Sequence, residues 1–122
     1  MRLTHRYLPG ASVITIDGDV DITTSRELEN CIDLVRRSLD DHLIIHASGL
    51  SFLDSSGLAV LLAAAVLAQA RRVAVHLVGL QPRVARILEI TGAMPAIRAH
   101  DHVEQALAAV ASTGGVHFTE PA

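Results

Sequence analysis

Three consecutive segments decide the fold of this chain. They are Leu43-Ile44-Ile45, then Phe52-Leu53-Asp54-Ser55-Ser56-Gly57, then the unbroken apolar run Leu58 to Ala68. The first reads as a short buried strand. Ser55-Ser56-Gly57 opens a helix, because short hydroxyl side chains satisfy the unpaired amides at helix starts. The apolar run is eleven residues long, whereas a membrane span needs about 20. It therefore predicts a helix reaching about Arg71, either buried or carrying an unusually apolar partner-facing side.

Upstream, Leu3 to Leu8 is a plausible strand, with Pro9-Gly10 as a hairpin turn leading to the β-branched run Val13-Ile14-Thr15-Ile16. That second strand is expected to end at Asp17-Gly18, a turn signal. Thr23-Thr24-Ser25 then caps a helix whose packing positions Leu28, Cys31, Ile32, Val35 and Leu39 recur at spacings of three and four. Downstream, Val73 to Val78 reads as a strand, and Pro82 suits the first turn of a third helix ended by Gly92. A short strand at Ala96-Ile97 and a fourth helix, capped by Asp101 and reaching Val110, complete the pattern. Strands alternating with helices imply an α/β sandwich with at least part of its sheet parallel. Residues 1–111 form one domain on this reading, and 112–122 a flexible tail.

The chain has 122 residues, half of them apolar but only 2% aromatic, so its core is aliphatic. A net charge of −3 and few aromatics argue against nucleic-acid binding, which uses basic patches and stacking rings. A single cysteine, Cys31, excludes an internal disulfide framework and a Cys-based zinc site, and suits a reducing cytoplasm. The N-terminal residues run directly into polar ones rather than an apolar signal core. No membrane insertion, cofactor or metal is expected.

Three features bear on chemistry. Asp54, Ser55, Ser56 and Gly57 stand at a helix N-terminus, where free amides and the helix dipole favour an anion. A phosphate on a serine there would gain donors and add about −1.5 to −2 charge beside Asp54. A plain capping sequence accounts for the same residues, with one serine as cap and Gly57 incidental. Next, Asp17-Gly18-Asp19-Val20-Asp21 has the acid spacing of a calcium loop. Such a loop needs Gly at its sixth position and Glu at its twelfth, and here those are Ile22 and Leu28. The segment reads instead as a solvated acidic turn, with Asp21 the residue best placed to meet a basic partner. Finally, seven histidines are present. No Gly-x-Ser-x-Gly elbow accompanies them, which weighs against a hydrolase. His46 is assigned to packing, and His100 and His102 to a solvated loop.

Gly18-Asp19-Val20-Asp21, Phe52-Leu53-Asp54-Ser55-Ser56-Gly57-Leu58 and the stretch Arg83 to Gly92 occur in that order. With them the chain resembles the STAS domain, and most of all the bacterial anti-sigma factor antagonists, over about Leu3 to Val110. The resemblance implies a mixed β-sheet flanked by about four helices. It also implies that the chain is a non-enzymatic interaction protein: such antagonists bind an anti-sigma factor that is an ATP-binding, histidine-kinase-like serine kinase, and so free the sigma factor. Phosphorylation releases the antagonist, and a PP2C-type phosphatase reverses the modification. By resemblance the acceptor is Ser56, with Ser55 the alternative. Asp21, Asp54, Ser55, Ser56 and Gly57 form the partner-binding set. Many relatives carry Asp or Asn where this chain has His46, in His46-Ala47-Ser48-Gly49, so the support of the Asp54–Ser56 loop is expected to differ. Two other readings stay open. One is a STAS docking module of another complex, such as a stress-signalling scaffold or a lipid-transport ABC system. The other is a small hydrolase using Ser55 or Ser56.

Overall fold

The computed structural model describes residues 1–36, 40–94 and 96–119, with side chains described as far as residue 112. Among the described residues, five strands and four helices follow one another, alternating from β2 onward. They are β1 (Arg2–Leu8), β2 (Ala11–Val20), α1 (Ser25–Val35), β3 (His42–Leu53), α2 (Ser55–Ala70), β4 (Val75–Val78), α3 (Pro82–Ile90), β5 (Ile97–His100) and α4 (Val103–Thr119). The five strands form one sheet in sequence order. β1 and β2 are an antiparallel hairpin. β2, β3, β4 and β5 run parallel.

Sequential strand order dictates where the helices go. Parallel crossovers are right-handed almost without exception, so three crossovers in one direction place three helices on one face. Packing agrees. Leu28, Ile32 and Val35 of α1, Leu61, Ala64, Ala65 and Ala68 of α2, and Val84 and Leu88 of α3 share the main core with Ile14, Ile45, Leu77 and Ile97 of the sheet. α4 follows β5 and covers the other face, where Ala106 and Val110 meet Ala11, Val13, Ile44 and Val78. Strands covered on both faces need apolar residues on both, which is why Leu43, Ile44 and Ile45 are all fully buried.

Several boundaries depart from the sequence reading. β2 does not stop at Asp17-Gly18 but continues to Val20, paired with β3 up to Val20↔Leu53. Irregularities between Thr15 and Asp17 and between Gly18 and Asp19 absorb the turn-forming residues, Gly18 taking φ +113°. β3 likewise outruns its apolar core. Thr24 is the N-cap of α1 but makes no side-chain cap bond; its hydroxyl donates to Asp19 O instead, at 2.9 Å. Leu39 lies outside the described residues. Asp101 does not cap α4; the Gln105 side chain reaches back to the amides of Asp101 and His102 at 2.8 and 3.1 Å. α4 itself extends to Thr119, so residues 112–119 of the expected tail fall within it, and residues 120–122 lie outside the described residues. Among the described residues, no helix is long and apolar enough to cross a membrane.

Candidate functional site

The parallel strands β2 and β3 deliver their C-terminal ends side by side, and α2 starts there. Asp54 N–H donates to Val20 O at 3.1 Å, which ties the β3–α2 junction to β2. Asp54, not a serine, is the N-cap: its extended backbone lets Oδ1 accept from the amides of Ser56 and Gly57 at 2.9 and 3.1 Å. The same oxygen accepts the Ser56 hydroxyl at 2.5 Å. The Ser56 hydroxyl followed by the Gly57 amide holds the Asp54 carboxyl below its ordinary range. Leu58 N–H already bonds Asp54 O. The amides a phosphate was expected to capture are therefore taken by Asp54, so a phosphate on Ser56 has to displace it or project outward.

Gly57 is not incidental. A Cβ there would stand 2.6 Å from both Leu53 Cδ1 and Val20 Cγ1. Only a glycine lets the first turn of α2 approach the two strands this closely. Gly57 is buried, Ser56 half-buried and Ser55 exposed. Of the residues assigned to partner binding, Gly57 thus supports the surface from beneath.

Asp21 lies at the end of β2. Its Oδ1 accepts the Thr23 amide at 2.9 Å and the Thr23 hydroxyl at 2.6 Å, and these bonds, the hydroxyl first, lower its pKa. Its main-chain oxygen accepts from Thr24 and Ser25, starting α1. Asp21 is close enough that its charge opposes ionisation of Asp54. Asp19, two residues earlier, accepts the Ser51 hydroxyl at 2.6 Å. The fold thus brings Asp21, Asp54, Ser55 and Ser56 to one edge.

Sequence reasoning missed the apolar part of this edge. Ile22 is 79% exposed and Phe52 44% exposed, flanking the acids in the chain. The signal was present for Ile22, a large apolar residue in the polar turn after Asp21, whereas Phe52 stands within β3 opposite Asp19 and reads there as a core residue. His46 sits mid-strand between Thr15 and Val78 and bonds the Ser48 hydroxyl at 3.2 Å. The Asp54–Ser56 loop is held by its own Asp54 and by Val20. His100 is not in a solvated loop: it ends β5, half-buried, and bonds His76. His102 is exposed. Among the described residues, no group of three His, Cys, Asp or Glu could hold a metal ion.

A family model for the STAS domain matches residues 4–106. No curated protein is matched by the sequence. Among solved structures, an anti-sigma factor antagonist from Mycobacterium paratuberculosis is 26% identical, with a TM-score of 0.75 over 89% of this chain and 92% of that one. An anti-sigma-factor antagonist (STAS) domain protein from Planctomyces limnophilus is 14% identical, with a TM-score of 0.78 over 88% and 96%. The Bacillus cell fate determinant SpoIIAA in its phosphorylated form is 20% identical, with a TM-score of 0.69 over 89% and 99%.

Proposed function

This chain belongs to the STAS domain family, and on that premise we propose that it is an anti-sigma factor antagonist switched off by phosphorylation of Ser56. Its partner on this reading is an anti-sigma factor that is also an ATP-dependent serine kinase, met in the cytoplasm. A PP2C-type phosphatase restores the unmodified form. The chain acts by binding and catalyses nothing itself. The observation that carries the reading is the Ser56 hydroxyl, half-buried at the start of α2 and bonded to Asp54, with Asp21 nearby. Structural similarity to a phosphorylated antagonist supports it.

Electrostatics supplies the switch. Unmodified, the edge offers a hydroxyl, two carboxylates and the exposed Ile22 and Phe52 side chains. These suit a partner with a basic rim around an apolar centre. The kinase transfers the terminal phosphoryl group of ATP to Ser56 Oγ, ADP leaves, and the hydroxyl proton departs. Asp54 loses its hydroxyl donor and faces a dianion. Because Asp54 holds the first amides of α2, the helix offers that dianion few free donors. Like charges juxtaposed in an interface cost several kcal/mol, and about 1.4 kcal/mol is tenfold in affinity. The partner dissociates without any change of fold.

The test is intact-mass analysis with site mapping after incubation with ATP and candidate anti-sigma kinases, beside Ser55→Ala and Ser56→Ala controls. One added phosphate, abolished only by Ser56→Ala, is the expected result. Tight binding to such a kinase without any phosphate would leave a constitutive docking module.

A further inference from the structure

Three histidines from three adjacent strands join on the face of the sheet that α4 covers. Alternation along β4 sends Val75 and Leu77 into the main core, and His76 and Val78 to the opposite side, where Val78 packs with Ala106 and Val110. His42 shares that face with Ile44 on β3, and Arg98 and His100 share it on β5 through the pairs His76↔Arg98 and Val78↔His100. His42 Nδ1 lies 3.1 Å from His76 Nε2. His76 Nδ1 lies 3.0 Å from His100 Nε2. His76 is fully buried, His42 is 5% exposed, and His100 is half-buried at the end of the row.

The backbone gives this row a direction. The Ala74 amide donates to His42 Nδ1 at 3.2 Å, so that nitrogen carries a lone pair and His42 keeps its proton on Nε2. His76 Nε2–H must then donate to His42 Nδ1. That leaves His76 Nδ1 as the acceptor for His100 Nε2–H. All three neutral rings share one tautomer, and donation runs inward from His100 to His42. A second proton on His76 or His42 would set N–H against N–H. His100 can take one on Nδ1 without reversing a bond, and it borders an open recess lined by Leu80, Ala85, Asp101 and Gln105.

We propose that the His100–His76–His42 row is an acid-released latch: neutral, it braces β3, β4 and β5 beneath α4, and once protonated it frees α4 and β5 from the sheet. The surrounding charges favour release. Arg98 on β5 faces the row and adds positive charge, and Asp41, beside His42, is the anion that opposes it. α4 turns Ala106 and Val110 toward the sheet, with Val103 and Leu107 packed alongside and Glu104 exposed. From β2, Ala11 and Val13 pack on this face, with Thr15 further along opposite His46. On β3, His46 is engaged with Ser48, and after β5 Asp101 and His102 are exposed. Burial, then the neighbouring His42, His100 and Arg98, push His76 down to about 4, and burial lowers His42 and His100 as well.

An imidazole that binds its proton more readily unfolded contributes stability that is complete above its ordinary value of 6.5 and is lost as pH falls toward its folded value. For His76 alone, an opening that exposes it becomes about twentyfold easier between pH 7 and pH 5, whereas openings of α1 and α2 that leave the row closed are unchanged. Amide hydrogen exchange on the whole chain at those two pH values, corrected for intrinsic rates, reads where that shift falls. Exchange in α4 and β5 is expected to accelerate at least about tenfold more than in α1 and α2. Imidazole 15N shifts are expected to show His76 in the Nε2–H form and neutral at pH 5. Equal acceleration throughout, a His76 that titrates near 6.5, or an Nδ1–H tautomer at His76 would each overturn the latch. His76→Leu is expected to remove most of the extra acceleration in α4 and β5, leaving the part that His42 and His100 contribute, with His100→Gln as the milder variant should the first not fold.

Discussion

The two polar regions of this domain are built on opposite plans. At the strand ends, Asp54 finds its partners two and three residues away, in Ser56 and Gly57. Asp21 likewise bonds Thr23. Under α4, His42, His76 and His100 are separated by 34 and 24 residues and meet only because β3, β4 and β5 are paired. The first region is open to water, so its charges are screened and can change without unfolding anything. The second is enclosed, so a proton there is set against the fold itself. An exposed, locally satisfied cluster suits a surface that is written on and erased. An enclosed, long-range one suits a structural constraint.

The largest effect expected at the edge is on binding. Ser56→Glu should weaken affinity for the cognate kinase about a hundredfold or more, from a penalty of several kcal/mol, while the thermal midpoint stays within about 2 °C. Calorimetric titration and a melting curve check both halves. A midpoint that fell with the affinity would break the contrast between the two regions.

Gly57→Ala probes where the edge joins the core. Its Cβ meets Val20 and Leu53, and overpacking of this kind costs about 1–3 kcal/mol, read from denaturant unfolding. Next comes the cap itself. Asp54→Ala strips the amides of Ser56 and Gly57 of their acceptor and should lower the thermal midpoint by roughly 4 °C.

Acid separates the regions directly. Asp21 and Asp54 lie below their ordinary range, so what they contribute is present above about pH 4 and is lost only as pH falls further. His76 contributes above about 6.5 and loses it on the way down to about 4. Between pH 7 and 5 the slope of stability should therefore be the same in the native chain and in Asp54→Ala, as urea titrations at several pH values would show. The smallest change is predicted for Ile22→Ser. With its side chain 79% exposed, stability should move by less than about 0.5 kcal/mol, whereas kinase binding should fall measurably if Ile22 anchors the interface.

Much of this was legible in the sequence because it is local. The strand-to-helix alternation, the Pro9-Gly10 hairpin turn, the start of α2 at Ser55 and the Pro82 start of α3 all depend on residues a few positions apart. Where local signals and pairing disagreed, pairing won. Asp17-Gly18 reads as a stop, yet β2 runs to Val20 because β3 offers it a partner as far as Leu53 and irregular pairing absorbs the awkward residues. Within the right motif the sequence points to a serine as the α2 cap, whereas Asp54, a carboxylate one residue before Ser55, takes the amides instead.

Periodicity, caps and turns act over less than two helical turns, and they are enough to read an α/β domain with a hydroxyl-bearing helix start. That Gly57 must lack a side chain, that Ile22 and Phe52 stay exposed, and that His42, His76 and His100 form one directed row emerges only once the strands have paired. Those outcomes depend on which strands become neighbours, and strand pairing is settled by burying the whole sheet at once, not by any segment of it.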